Sequence, residues 1–176
     1  KPDEKLFPEY YEPEVLSGIR HEPFLFLHEI LQNNLPLTDL IDSDWTVVAS
    51  KLARFYDFGP IEGLRQQPVR VKIPPGKHRG GLLGMAAIHA VSSYPHRTSP
   101  VLRGKWVLEN LLGTPAPVPP PDVPELKDNH AGEAPKTLRE RLELHRANPV
   151  CASCHSRIDP MGFGLENFDV IGRWRV

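Results

Sequence analysis

Cys151-Ala-Ser-Cys154-His155 contains the only two cysteines of a 176-residue chain, with a histidine directly after the second. Thiols three positions apart share one face of a helical turn, and this set of residues suits four kinds of chemistry. The thiols can become thioethers to the two vinyl groups of one porphyrin edge, while the next imidazole meets the iron on the proximal side. That is the attachment pattern of c-type haem. They can cycle as a redox dithiol, which needs a strand-to-helix βαβ setting; here a polar helical stretch and Asn148-Pro149 precede them. They can bind zinc if His130, His145 or His96 completes a four-ligand set. They can close as a plain disulfide. Haem attachment uses all three residues and leaves no sulfur over, so the expectation is one covalent haem c on Cys151 and Cys154, with His155 as the proximal ligand.

The flanking residues extend this reading. Ser156 to Leu165 reads as a loop under the proximal histidine, with a carbonyl near Pro160 accepting the His155 Nδ1–H and leaving Nε2 for iron. Phe163, Leu165, Phe168 and Trp174 supply apolar wall. Haem propionates seek cations, and Arg97, Arg103 and Lys105, or Arg173, are the candidates. For the opposite iron face His96 comes first and Met85 second, with His89 four residues from Met85 on one helical face. Met161, six positions from His155, has to round the porphyrin edge; an open or water-ligated iron is the remaining case.

The elements that must position these residues are short. Twenty prolines, about twice the ordinary share, limit helix length and sheet content. Apolar spacing predicts a helix from Pro13 to about Asn33, kinked or restarted at Pro23, and a short turn at Pro36–Ile41. A helix capped by Ser43 should carry Trp45, Val48, Ala49, Leu52, Ala53 and Tyr56 on one side. One short strand is expected at Val69–Ile73, then helices over Leu82–Ser92 and Val101–Leu112, the latter ending at Gly113. Six prolines in Pro115–Pro124 read as an extended strap. Thr137 caps a helix over Leu138–Arg146, which Asn148-Pro149 ends. No repeat and no βαβ alternation is visible. The fold class is therefore mainly α with extensive coil: short helices around a covalent haem, joined by a polyproline strap. By composition the chain divides into 1–114, a helical domain with a basic loop region, 115–136, the strap, and 137–176, the haem-attachment segment.

With 40% apolar and 24% charged residues the chain is globular rather than disordered. No apolar run reaches the roughly 20 residues of a membrane span. A net charge of −1 argues against nucleic acid as a partner. Charge is uneven, however. Leu64 to Lys105 holds eight Lys/Arg and no acid, whereas the first fourteen residues hold five acids and two lysines. Either a charged partner uses this asymmetry or the two segments neutralise each other.

Two long blocks carry a family resemblance. Arg79-Gly-Gly-Leu-Leu-Gly-Met85, then Arg97 through Asn110 and the proline tract, resembles an uncharacterised domain of the large planctomycete-type multidomain cytochromes. Leu138 to His145, Cys151–His155 and Asp159-Pro-Met-Gly-Phe-Gly-Leu-Glu-Asn-Phe-Asp169 with Gly172-Arg-Trp-Arg175 resembles the start of the domain that follows it there; residues 15–58 resemble the end of the domain before. In those proteins the next domain runs on past the point where this chain stops, so the expectation is a truncated or processed molecule. The resemblance implies export, to periplasm or cell exterior, and covalent haem, and leaves the reaction unassigned. The expected role is an exported monohaem module passing single electrons between redox partner proteins. The alternatives are a peroxidase- or oxygenase-like haem enzyme with an open iron position, and a haem module of a larger secreted complex of several chains.

Overall fold

Trp45-Thr-Val-Val48, expected within a helix, is a strand in the computed structural model of the chain, which describes residues 1–61, 63–117 and 137–175. Three consecutive β-branched residues lose side-chain freedom in a helix and pack well on a pleated surface. This strand, β1 (Trp45–Val48), pairs antiparallel with β2 (Val69–Lys72), Trp45 opposite Lys72 and Val48 opposite Val69. The strand expected at Val69–Ile73 is thus present. Ser43 does not cap a helix. Its buried Oγ donates to the Trp45 carbonyl at 2.7 Å and accepts from the Gly81 N–H at 3.0 Å.

The structure is mainly α with extensive coil. Helix α1 (Pro13–Gln32) is one helix through Pro23, so it does not restart there; Pro23 has no N–H to give the Ile19 carbonyl. A 3₁₀ turn at Leu37–Leu40 falls where a short turn was expected. Helix α2 (Ser50–Phe55) follows β1. The stretch expected as one helix over Leu82–Ser92 is divided: a 3₁₀ turn (Leu82–Gly84), an extended Met85, then α3 (Ala86–Val91). The cause is local. Arg79 Nη1 takes the Gly84 carbonyl at 2.6 Å, and the Ile88 amide pairs with Met85 instead. Met85 and His89 therefore do not share one continuous helical face. Helix α4 (Pro100–Trp106) passes into a π turn (Val107–Leu111), with Gly113 in the left-handed region just beyond.

Helix α5 (Leu138–Arg146) starts on a capping box, Thr137 Oγ1 accepting from the Glu140 amide while the Glu140 carboxylate takes the Thr137 amide. Asn148-Pro149 ends it and also begins α6 (Pro149–Phe163), Asn148 capping through Val150 N–H at 3.0 Å. Residues 156–163, expected as a loop, are the second half of α6; the single bond lost at Pro160 is outweighed by packing on α4. Most of the expected strap, including Pro119 to Pro124, lies outside the described residues, as does His130.

The chain forms two compact units, Lys1–Ser99 with Glu166–Val176, and Pro100–Leu165. This division by packing differs from the compositional one into 1–114, 115–136 and 137–176. In the first unit α1 packs on α2, β1 and α3 through Val15, Ile19, Val48, Leu52, Ala86 and Ile171. The acidic lead-in is part of that core: Tyr10 is buried and the Tyr11 hydroxyl reaches the Pro2 carbonyl. Gly172 (φ +76°) returns the tail against Ala86, where a Cβ would sit 2.6 Å from the Ala86 Cα. In the second unit α4 and α6 run antiparallel in backbone contact. No helix among the described residues is long and apolar enough to cross a membrane.

One buried carboxyl ties the first unit together. Glu22 accepts from Thr46 Oγ1 at 2.8 Å and from the Tyr56 hydroxyl, which in turn accepts the Ala86 N–H at 3.0 Å. Arg79 stacks over the Tyr56 ring at 3.8 Å. Burial raises the Glu22 pKa from 4.5 to about 7, against the lowering effect of Tyr56, Thr46 and Arg79. A carboxyl that holds its proton more tightly when folded stabilises the fold fully below pH 4.5, and this contribution is lost as pH rises through about 7. The expected decline is about 3 kcal/mol over that window. Glu22→Gln should flatten the slope of urea-unfolding stability between pH 4.5 and 7; an unchanged slope would place the titration elsewhere.

Candidate functional site

Cys151, Cys154 and His155 all lie in the first two turns of α6, on the helical footing that a Cys-x-x-Cys-His run requires. Both thiols are free, Cys151 buried and Cys154 half-buried. His155 Nδ1 pairs with Asp159 Oδ1 at 2.9 Å, one helical turn on. The expected partner, a carbonyl near Pro160, is replaced by a carboxylate because the segment is helix and brings residue i+4 beneath the ring. Asp159 is wholly buried, His155 is 18% exposed, and Arg146 Nε stands 3.6 Å from Asp159 Oδ2. The other ring nitrogen, Nε2, has no hydrogen-bond partner among the described residues. The ring of His145 meets His155 edge to face at 5.0 Å. Burial first, and the His155 charge second, push the His145 pKa down against the pull of Asp159.

The framework around this cluster is backbone-tight. A Cβ on Gly104 would lie 1.9 Å from the Ile158 carbonyl oxygen, and one on Gly162 1.8 Å from that of Pro100. The two glycines set how closely α4 approaches the turn that bears Asp159. Buried Arg103 donates Nη1 to the Leu165 carbonyl at 2.7 Å, beyond the last turn of α6. Arg139 lies over the Phe163 ring at 4.2 Å.

The other expected site residues are placed as follows. Arg103 is in this unit but its guanidinium serves the end of α6; Lys105 is exposed and 3.5 Å from Glu109. Met161 is exposed on α6 itself, carried about 9 Å along the axis from His155. Met85, His89, His96, Arg97 and Arg173 belong to the first unit. Met85 is buried in that core. His89 is buried, stacked on Phe168 at 4.2 Å, with Nε2 at 2.9 Å from the Leu83 carbonyl. His96 and Arg97 are exposed, Arg97 over the Tyr94 ring at 4.4 Å. Phe168 and Trp174 pack on each other and on His89 and His78 in the first unit, Phe163 and Leu165 lie in the second.

Of the basic run, Lys77 pairs with Asp57 at 2.7 Å, Arg70 with Glu29 at 3.6 Å, Lys72 with Asp44 at 3.3 Å and Lys105 with Glu109 at 3.5 Å; these partners lie outside the acidic first fourteen residues, whose Glu9 pairs with Arg173 at 2.7 Å. Among the described residues no group of three or more His, Cys, Asp or Glu side chains is arranged to hold a metal ion, so Cys151, Cys154, His155 and His145 form no zinc cage.

Asp159, Arg146 and Glu22 were not singled out in sequence. For Asp159 a signal existed: it stands four residues after His155, but it counts only if the segment is helical. Nothing in the sequence near Glu22 marks it as buried.

A family model for PSCyt3, a protein of unknown function (DUF1588), matches residues 79–176. The chain belongs to the PSCyt3 family. A second model, PSD4, also a protein of unknown function (DUF1592), matches residues 1–58. Both are families of the multidomain cytochrome-c-like proteins of planctomycete type. One PSCyt3 match spans both the Arg79 block and the Cys151–His155 block, which the sequence resemblance had divided between successive domains. No curated protein and no solved structure matches the chain. The PSCyt3 and PSD4 segments are not separate in space: the Glu22–Tyr56 pair from one meets Arg79 and Ala86 of the other within the first unit.

Proposed function

We propose that this PSCyt3 chain is an exported c-type cytochrome module that carries one covalently attached haem and moves single electrons between redox partner proteins. The observation that carries the reading is the state of His155. Its Nδ1 is pinned by Asp159 and its Nε2 is left bare, next to two unbridged thiols on the same helix. That donor set fits a haem. Cys151 and Cys154 would hold the porphyrin edge, His155 Nε2 would hold the iron, and the haem would supply one-electron redox chemistry. The helix fixes the ring plane of His155, and Asp159 keeps the proton on Nδ1.

The test is intact mass and visible spectroscopy of the chain matured with its haem. One haem per chain is expected, resistant to acid–acetone, with low-spin bands in both oxidation states that ignore carbon monoxide and cyanide. A colourless mature protein overturns the haem reading. A high-spin ferric form that binds those ligands and consumes peroxide would replace electron transfer with the enzyme reading.

A further inference from the structure

From the buried pair beneath His155 we infer that Asp159 and Arg146 together set the reduction potential of the site, Asp159 as a charged positioning residue and Arg146 as its counterweight. This rests on the haem reading above and adds residues that the attachment motif does not contain.

The argument starts from charge. A neutral carbonyl under a ligating imidazole fixes its tautomer and little else. A carboxylate at the same atom also places a full negative charge at hydrogen-bond distance, here 2.9 Å from Nδ1. Asp159 is shielded from water on all sides, so its field reaches the ring with little solvent screening. A negative partner makes the ligating nitrogen more electron-rich and favours the ferric over the ferrous charge, which lowers the potential.

Arg146 opposes this. Its Nε is 3.6 Å from the other carboxylate oxygen and its side chain is 27% exposed. The cation is close enough to offset part of the aspartate charge and wet enough to do so only in part. The two residues therefore act on His155 with opposite signs. Both come from the local helical geometry. Asp159 is one turn after His155 on α6, and Arg146 closes α5 just before the Asn148 cap. His145, the other titratable group facing the pair, contacts the His155 ring directly.

The substitutions separate charge from position. In Asp159→Asn the amide oxygen can still accept the Nδ1–H, so the ring stays oriented while the charge is removed. The matured variant should show about a tenfold increase in its reduced-to-oxidised ratio at fixed poise, equivalent to 59 mV for a one-electron couple. Arg146→Gln should move the ratio the other way, by about threefold, because its charge is partly solvated. Opposite signs are the diagnostic result, since a merely structural role would perturb both variants in the same direction. In the haem-free chain, ring ¹⁵N shifts of His155 should report a proton on Nδ1 in the parent and in Asp159→Asn, and a mixed tautomer in Asp159→Leu. If haem is bound but the two variants shift the potential in the same direction or not at all, the inference falls and the haem reading stands. If no haem binds to the parent chain, the haem reading falls.

Discussion

On the haem reading, substituting both thiols, Cys151→Ser with Cys154→Ser, should abolish covalent attachment: acid–acetone extraction is expected to remove all colour from the double variant and none from the parent. The effect is all-or-none because no other sulfur-bearing nucleophile lies in the motif and the chain has only these two cysteines. Each single variant should keep one thioether and show a haemochrome band displaced from that of the parent. The polypeptide itself survives. Cys154 is half-exposed, and placing a hydroxyl at buried Cys151 costs about 1–3 kcal/mol, short of what unfolds an ordinary domain. Circular dichroism of the haem-free double variant should therefore match that of the haem-free parent. Acid-resistant haem on the double variant would sink the tethering role.

The second large effect is on stability. Gly162→Ala should unfold or separate the α4–α6 pair, with a loss of about 4 kcal/mol or more. Alanine gains about 1 kcal/mol of helix propensity over glycine, so an ordinary helical glycine would be stabilised by the change. Here the new methyl group would stand 1.8 Å from the Pro100 carbonyl oxygen. That neighbour is backbone, which no rotamer change can move, so the helices must part by more than an ångström. Gly104→Ala meets the Ile158 carbonyl at 1.9 Å and should behave alike. Amide hydrogen exchange across α4 and α6 reads the outcome: protection should collapse there while α1 and β1 keep theirs. Parent-like protection in α4 and α6 would show that the crossing is looser than its backbone contacts indicate. Because Ile158 adjoins Asp159, parting the helices also loosens the residue that holds His155.

The candidate site was legible in the sequence because its motif is local. Cys151, Cys154 and His155 declare themselves by spacing alone, and Thr137 with Glu140 and Asn148 with Pro149 mark their helix ends by residue type. The mainly α character followed from apolar spacing and proline content. The errors came where a residue outside the stretch supplies the partner. Trp45–Val48 has apolar positions that suit a helix, yet it is a strand because Val69–Lys72 lies beside it. The 82–92 stretch breaks at Met85 because Arg79 takes a carbonyl that the helix would have used.

By itself, then, the sequence determined the candidate donors: two thiols and an imidazole in fixed order. Tertiary structure decided what stands behind them. Pro160 and the glycines around it suggested a loop, but contact with α4 keeps residues 156–163 helical. Only a helix carries Asp159 under His155, and only its packing within the unit shields that carboxylate from water. Burial and long-range pairing depend on the chain's three-dimensional path, and no spacing rule encodes them.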